Sequence, residues 1–330
     1  MPPRHLLLAL GIAALWGVNF VVIDVGLDHF PPLLFSALRF LVAAVPAIFF
    51  LRSPGVPWRW VALVALFLAI IKFGLLFLGM ANGMPPGLSS LVLQSQAVFT
   101  AVFAVLLLGE RLTRGQVAGL AVAGGGIVLI AVDLGATSPL GAFLLVVGAG
   151  VAWGVSNVVT RRASPPDTLR FMVWVSALAT LPLFVLSAVF EGPQRGWDAL
   201  RTVTWPAVGS VLFVGIVATV LGFGAWGYLI RTYSASVIAP FSLLVPVFGM
   251  STAALLIDER ITPLRIGAGV LIIAGVLGGV ISARRRAARD RLPTDSPRTP
   301  TGRTPSRRRS PLPHPAPRSR FPVLPGRSRR

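Results

Sequence analysis

The sequence contains no cysteine, one lysine and only eleven acidic residues in 330 positions. Without cysteine the chain can build neither a disulfide framework nor a thiolate metal site. His5, His29 and His314 are the only histidines, and no Gly-Lys-Ser/Thr phosphate loop is present. Neither a metal centre nor an ATPase within this chain is therefore expected. Charged residues make up just 12% of the chain, hydrophobic residues make up 55%, and the mean hydropathy is +0.79. That composition excludes an ordinary water-soluble domain.

The formal charge of +19 at first resembles that of a nucleic-acid binder, but its placement argues otherwise. From Ala283 onward fifteen Arg stand against Asp290 and Asp295, which leaves a body with only a modest positive excess. This Arg/Pro/Ser-rich tail (283–330) has too few large apolar residues to bury a core, so it is expected to be disordered. Its arginines suit anionic lipid headgroups, and nucleic acid is not an expected partner. At the other end, Arg4 precedes an apolar run as in a signal peptide, but the run holds Trp16 and Asn19 and ends without a small-residue cleavage pattern. It reads as an uncleaved first helix.

Crossing a bilayer takes roughly 20 helical residues, and ten apolar runs of about that length follow one another. They run near 6–23, 33–51, 60–80, 88–108, 117–132, 140–160, 171–190, 205–230, 237–257 and 266–281. The connecting segments leave no room for a soluble catalytic domain. Basic residues near span ends stay on the cytoplasmic side. Arg52, Arg59, Arg111, Arg114, Arg161, Arg162, Arg170 and Arg231 all fall on one side with the Arg tail, whereas the turns after the first, third and fifth spans hold no Lys or Arg. Both termini are therefore expected in the cytoplasm of a bacterial cell, with the chain in its inner membrane.

An internal repeat supports the count independently of hydropathy. Trp16-Gly17-Val18-Asn19 in the first run returns as Trp153-Gly154-Val155-Ser156-Asn157 in the sixth. Leu108-Gly109-Glu110-Arg111-Leu112 after the fourth returns as Ile257-Asp258-Glu259-Arg260-Ile261 after the ninth, and Gly126 and Gly275 keep that second register. Five spans per half is an odd number, so the second half enters the membrane from the opposite side. The expected fold is an all-α membrane protein of ten transmembrane helices, built as two inverted five-helix repeats (1–133 and 138–282). Inverted repeats place a binding site near the midplane between the halves, which rock about it to give alternating access.

The Trp-Gly pair near the start of each half, with Gly-Glu-Arg or Asp-Glu-Arg after each fourth helix, resembles the EamA family of the drug/metabolite transporter superfamily. The resemblance covers residues 4–282. The longer stretches 16–23, 31–50, 84–96 and 239–259 are similar to members that export O-acetylserine and cysteine. The resemblance implies export of small amino acids or their metabolites. Broad drug or other-metabolite export on the same fold is the alternative it leaves open. The sequence departs from that pattern in its tail and at Lys72, where an uncharged polar residue is expected.

An ionisable group within a span is costly and marks a candidate site. Lys72 lies near mid-span, either lining a cavity and pairing with a substrate carboxylate or binding backbone carbonyls. Arg39 lies nearer the outer face and reads first as a structural residue that snorkels outward past its helix neighbours Ser36 and Leu38, with a cavity-lining role as the alternative. Trp16, Asn19 and Ile23 share one helix face, as do Trp153, Ser156 and Asn157. Ser90 and Gln94 stack in the fourth span, while Gln96, about 200° round from Gln94, points away if the helix is straight. Pro240, Ser242 and Pro246 mark the ninth span, and Gly222, Gly224 and Gly227 flank Trp226 in the eighth. Each polar residue could equally join helices by hydrogen bonds. The substrate-binding candidates are thus Trp16, Asn19, Lys72, Ser90, Gln94, Trp153, Asn157, Trp226 and Ser242, with no cofactor. The expected partners are a small-molecule substrate, protons through Lys72, membrane lipids and a second copy of the chain. The Glu110-Arg111 and Glu259-Arg260 pairs read as structural charges at helix ends. A membrane transferase would want His, Asp or Glu clustered at one face, and none is seen; a channel is a further alternative, which a repeated broken-helix filter would favour.

Overall fold

The computed structural model describes residues 1–134, 140–233 and 235–289; of the tail expected to be disordered at 283–330, residues 283–289 instead continue the last helix, and the rest lies outside the described residues. Residues Met1–Arg291 form one compact unit. Among the described residues every element is helical, and nine helices are long and apolar enough to cross a bilayer, with the shorter apolar Pro32–Val45 making a tenth. The spans, numbered in chain order, are Pro3–Leu27, Pro32–Ile48, Trp58–Ala81, Pro86–Leu108, Arg114–Leu134, Leu140–Ala163, Thr168–Phe190, Trp205–Tyr233, Ala239–Leu256 and Pro263–Arg289. An additional short helix, Pro193–Arg201, occupies what the sequence suggested was a loop between the seventh and eighth spans. Apolar side chains also face outward: Leu106, Leu181 and Leu255 are 70, 70 and 81% exposed. Such a surface suits lipid rather than water.

Local chemistry sets the span ends. Proline begins the second and fourth helices, where its missing N–H is no loss. Gly109 ends the fourth in the left-handed conformation, with φ of 67°. Asp167 caps the seventh span through the Arg170 N–H at 3.0 Å. Two caps come from elsewhere in the chain. The Glu191 carboxylate accepts from the N–H groups of Leu33 and Leu34 at 2.6 and 3.1 Å, and that of Glu259 from Gly87 and Leu88 at 2.7 and 3.2 Å.

The repeat reappears in the irregularities of the helices. The third span opens into a wide π-helical stretch at Ala65–Lys72, and its mate, the eighth, does so at Phe213–Leu221. The fourth span tightens into a 3₁₀ turn at Leu93–Ser95, and its mate, the ninth, at Ala239–Leu244. Packing between the halves follows the same pseudo-two-fold. The second span lies on the seventh, the fifth on the tenth, the first on the ninth, and the sixth on the fourth.

Glycine makes the closest of these contacts possible. A Cβ on Gly119 would fall 2.4 Å from the Gly275 carbonyl oxygen, and one on Gly275 would fall 2.4 Å from that of Gly119. A Cβ on Gly17 would lie 2.5 Å from the Phe248 Cβ, and one on its repeat mate Gly154 would lie 2.8 Å from the Phe99 Cβ. Gly222 in the eighth span likewise lets the Trp16 indole approach closely.

Side-chain bonds show which ends lie together. At one end His5 meets Tyr233, Trp174 donates to the Arg52 carbonyl at 2.9 Å, Thr113 bonds Ser282 at 2.7 Å, and Arg161 pairs with Glu110. At the other, His29 bonds the Ala199 carbonyl at 2.8 Å, Glu259 caps the fourth span, and Arg265 pairs with Asp133 at 2.7 Å. The first is the arginine-rich end, and successive spans run in alternate directions between the two.

Candidate functional site

Between the halves lies a cavity of about 330 Å³, lined by residues of both repeats. This is within the usual range for small-molecule sites, at its lower end. All nine substrate-binding candidates line it: Trp16, Asn19, Lys72, Ser90, Gln94, Trp153, Asn157, Trp226 and Ser242. The irregular stretches supply much of the wall. Leu68 and Lys72 come from the first π-helical segment, Ala218 and Thr219 from the second, Leu93 and Gln94 from one 3₁₀ turn, and Ala239 and Ser242 from the other. Departures from α-helical geometry at membrane depth are tolerated where backbone lines a cavity, and they are common at functional sites.

Two tryptophans anchor the walls. The Trp16 indole donates to the Ala218 carbonyl at 3.0 Å and packs against Phe223 and Trp226, with centroids 5.3 and 5.1 Å away. Trp153, its repeat mate, lies 4.6 Å beneath the Lys72 ammonium, which also sits 3.3 Å from the Phe73 centroid. Lys72 is 4% exposed and makes these cation–π contacts; the alternative expectation, backbone carbonyl partners, is not what the geometry shows.

Arg39 departs from expectation. Instead of snorkelling outward it is 2% exposed and lines the cavity. Its guanidinium lies 3.8 Å from the Phe73 centroid and 4.4 Å from that of Phe40, and it donates to the Thr219 hydroxyl at 3.1 Å. Nε and Nη1 have no hydrogen-bond partner among the described residues. Ser36, the neighbour expected to ease that path outward, is itself fully buried and has no hydrogen-bond partner among the described residues.

Gln96 is the second correction. The straight-helix reading turned it away from Gln94, but both line the cavity. The 3₁₀ turn at Leu93–Ser95 advances the chain about 120° per residue, which narrows the angle between them. Gln96 accepts from the Asn157 amide at 2.7 Å, and Asn157 also donates to Thr100 at 3.0 Å. The Asn19 amide oxygen is buried without a partner. Ser156, which was grouped with Trp153 and Asn157, is buried outside the cavity wall. The Ser90 and Ser242 hydroxyls donate to their own helices at Gly87 and Ala239, 2.6 and 2.7 Å away. Their lone pairs alone remain for a ligand.

Burial along each wall shows which way the cavity opens. In the first span Trp16 is half-buried, and Asn19 and Ile23 are buried. In the fourth, Gln96 is half-buried, and Gln94 and Ser90 are buried. In the eighth, Trp226 and Phe223 are half-buried, and Thr219 is buried. Each of these three series deepens away from the arginine-rich end, while Trp153 and Asn157 of the sixth span are both half-buried; three walls thus show the burial pattern of a cavity open toward that end and covered toward the one where Glu259 and Glu191 cap their helices. Glu110, the repeat mate of Glu259, sits at the open end and is held by Arg161.

Known proteins agree with this architecture. The profile of the EamA-like transporter family matches twice, at residues 4–132 and 140–280. A Salmonella typhimurium protein named "Probable amino-acid metabolite efflux pump" is 41% identical over 289 residues, spanning 86% of this chain and 97% of its own. Its Escherichia coli K12 namesake is 38% identical over 287 residues, spanning 85 and 96%. A "Probable terminal-alkyne amino-acid exporter" of Streptantibioticus cattleyicolor is 29% identical over 271 residues, spanning 79 and 88%. A crystal structure 22% identical shares the fold, with a TM-score of 0.55 over 88% of this chain and all of that one. With both repeats matched and ten helices in place, the chain is a multi-pass membrane protein and belongs to the EamA-like transporter family.

Proposed function

We propose that the chain exports small amino acids or their metabolites from the bacterial cytoplasm across the inner membrane by alternating access, with both termini cytoplasmic. The observation that carries this is the cavity between the inverted halves, which holds the buried Lys72 and no acidic residue among the described lining residues. A buried ammonium there needs an anionic partner, and an amino-acid carboxylate supplies one. The names of the Salmonella and Escherichia coli relatives point to the same cargo class. On this reading the opening at the arginine-rich end is the loading side.

Lys72 and Gln94 have the geometry to take the cargo's polar end, and Trp16, Trp153 and Trp226 to wall its apolar part. A broad exporter of hydrophobic cations fits less well, because cationic drugs would meet Arg39 and Lys72 with nothing to offset the repulsion. Coupling to protons would act through Lys72. The test is a metabolite survey of medium from overexpressing cells, followed by transport in proteoliposomes with and without a proton gradient. Accumulation of amino-acid derivatives such as O-acetylserine is expected; medium unchanged in every such compound overturns the cargo class.

A further inference from the structure

We propose that Arg39 and Lys72 together form a two-point clamp for a single carboxylate, and that the site reads this carboxylate without reading the cargo's amino group as a charge. The inference rests on the proposed export function, which by itself requires neither Arg39 nor indifference to the amine.

The geometry starts from Phe73. The Arg39 guanidinium carbon lies 3.8 Å and the Lys72 ammonium 3.3 Å from the centroid of this one ring. The two cations can therefore be no further apart than those distances together. A single carboxylate, whose two oxygens can each accept a charge-assisted bond of roughly 2.8 Å, would meet both groups from the cavity that they both line. Both groups line the same cavity and both are almost wholly buried. Among the described residues Arg39 has one hydrogen-bond partner, Thr219, which leaves Nε and Nη1 without one. Among the described residues Lys72 makes two ring contacts and no hydrogen bond. Two buried like charges side by side with unused donors form an unfavourable arrangement, and an anion between them relieves it. Phe73 lies within cation–π distance of both groups and offsets part of their charge.

The opposite polarity is not provided. No Asp or Glu is found among the described residues lining the cavity, so a cargo ammonium has no counter-charge. What faces it is neutral: the unpartnered Asn19 oxygen, Gln94, Gln96 and the indoles of Trp16 and Trp226. An acylated or otherwise uncharged nitrogen can use these groups as well as an ammonium can. The cargo class is thus small monocarboxylates with an uncharged or zwitterionic remainder, N-acylated amino acids included. Amines lacking a carboxylate are rejected.

Ligand binding to the full-length protein in detergent micelles tests this, with O-acetyl-L-serine, N-acetyl-L-serine and O-acetyl-L-serine methyl ester as probes and thermal stabilisation as readout. The two acids should bind within about fivefold of each other, and the ester at least about tenfold more weakly, the loss of one charge-assisted contact. Arg39→Gln should shrink the preference for acid over ester to what Lys72 alone supports, and Arg39→Lys should keep more of it. An ester that binds as well as the acid overturns the clamp while leaving amino-acid export standing. N-acetylserine failing where O-acetylserine binds overturns indifference to the amine. Binding of an unrelated monocarboxylate such as benzoate, dependent on Arg39, with neither serine derivative bound, keeps the clamp and removes the amino-acid cargo. The acid-to-ester comparison uses the unaltered protein, so it stands even if Arg39→Gln does not fold.

Discussion

At the residue scale, Lys72 is the group on which transport should depend most. Replacing it with Gln removes the ammonium over Phe73 and Trp153 but keeps most of the side-chain volume. Efflux should fall at least about tenfold, the equivalent of one lost charge-assisted bond, and its dependence on external pH should flatten. An unchanged rate with an unchanged pH profile in proteoliposomes would sink the assignment. Lys72 was legible in the sequence because a lone ammonium in an apolar run has few bland explanations. Trp16 and Trp153 were legible through the repeat. Arg39 and Gln96 were not, and for different reasons. Depth along a helix says nothing of which neighbours close over a side chain, and Arg39 is sealed in by Phe40 and Phe73. Gln96 was misplaced because angular reasoning assumes a uniform helix, and the turn beside it is 3₁₀.

At the scale of elements, the Glu259 cap should respond to pH. Burial holds its pKa above the ordinary 4.5, against the pull of the bonds from Gly87 and Leu88 and of nearby Arg265. Arg265 and Asp24 are the charged groups facing it. Swung free into water, the carboxylate would return to its ordinary value, so the capped arrangement is the one that binds a proton more tightly. Linkage then gives the sign: the closed end gains as pH falls from the raised value toward 4.5, and loses that gain as pH rises past the raised value. Glu259→Gln should remove this component, checked by labelling a single cysteine placed at Met84 across pH; a pH response identical to that of unaltered Glu259 would contradict it. Gly119 offers a harsher test. Adding a methyl group against the Gly275 carbonyl should cost about 1–3 kcal/mol, seen as easier unfolding of Gly119→Ala in detergent. Span number and approximate limits could be read from hydropathy, since bilayer thickness dictates length. The π-helical stretches could not, because Ala65–Lys72 and Phe213–Leu221 contain no proline and resemble any apolar helix. The helix Pro193–Arg201 was hidden by its polarity, which reads as a loop.

At the scale of the whole molecule, an opening at the arginine-rich end and closure at the other describe one of two arrangements related by the pseudo-two-fold. Natural absence of cysteine makes this directly measurable. A Ser242→Cys variant should react with a membrane-impermeant maleimide in inside-out vesicles, and an equivalent cysteine at Ser90 should react at least about tenfold more slowly. Equal rates would contradict the one-sided opening, and reaction confined to right-side-out vesicles would contradict the cytoplasmic assignment of that end.

The glycine seam between the fifth and tenth spans carries one more consequence, for covalent continuity. Gly119 and Gly275 bring two backbones into contact across the boundary between repeats, and the first span lies on the ninth as the fourth lies on the sixth. Each half is therefore held more by its partner than by the chain that joins them. Cutting the gene within codons 135–139 and expressing the two pieces together should give a functional pair that purifies as one. Either piece alone should be degraded, because a lone half would leave its seam facing lipid and its share of the cavity wall unmatched.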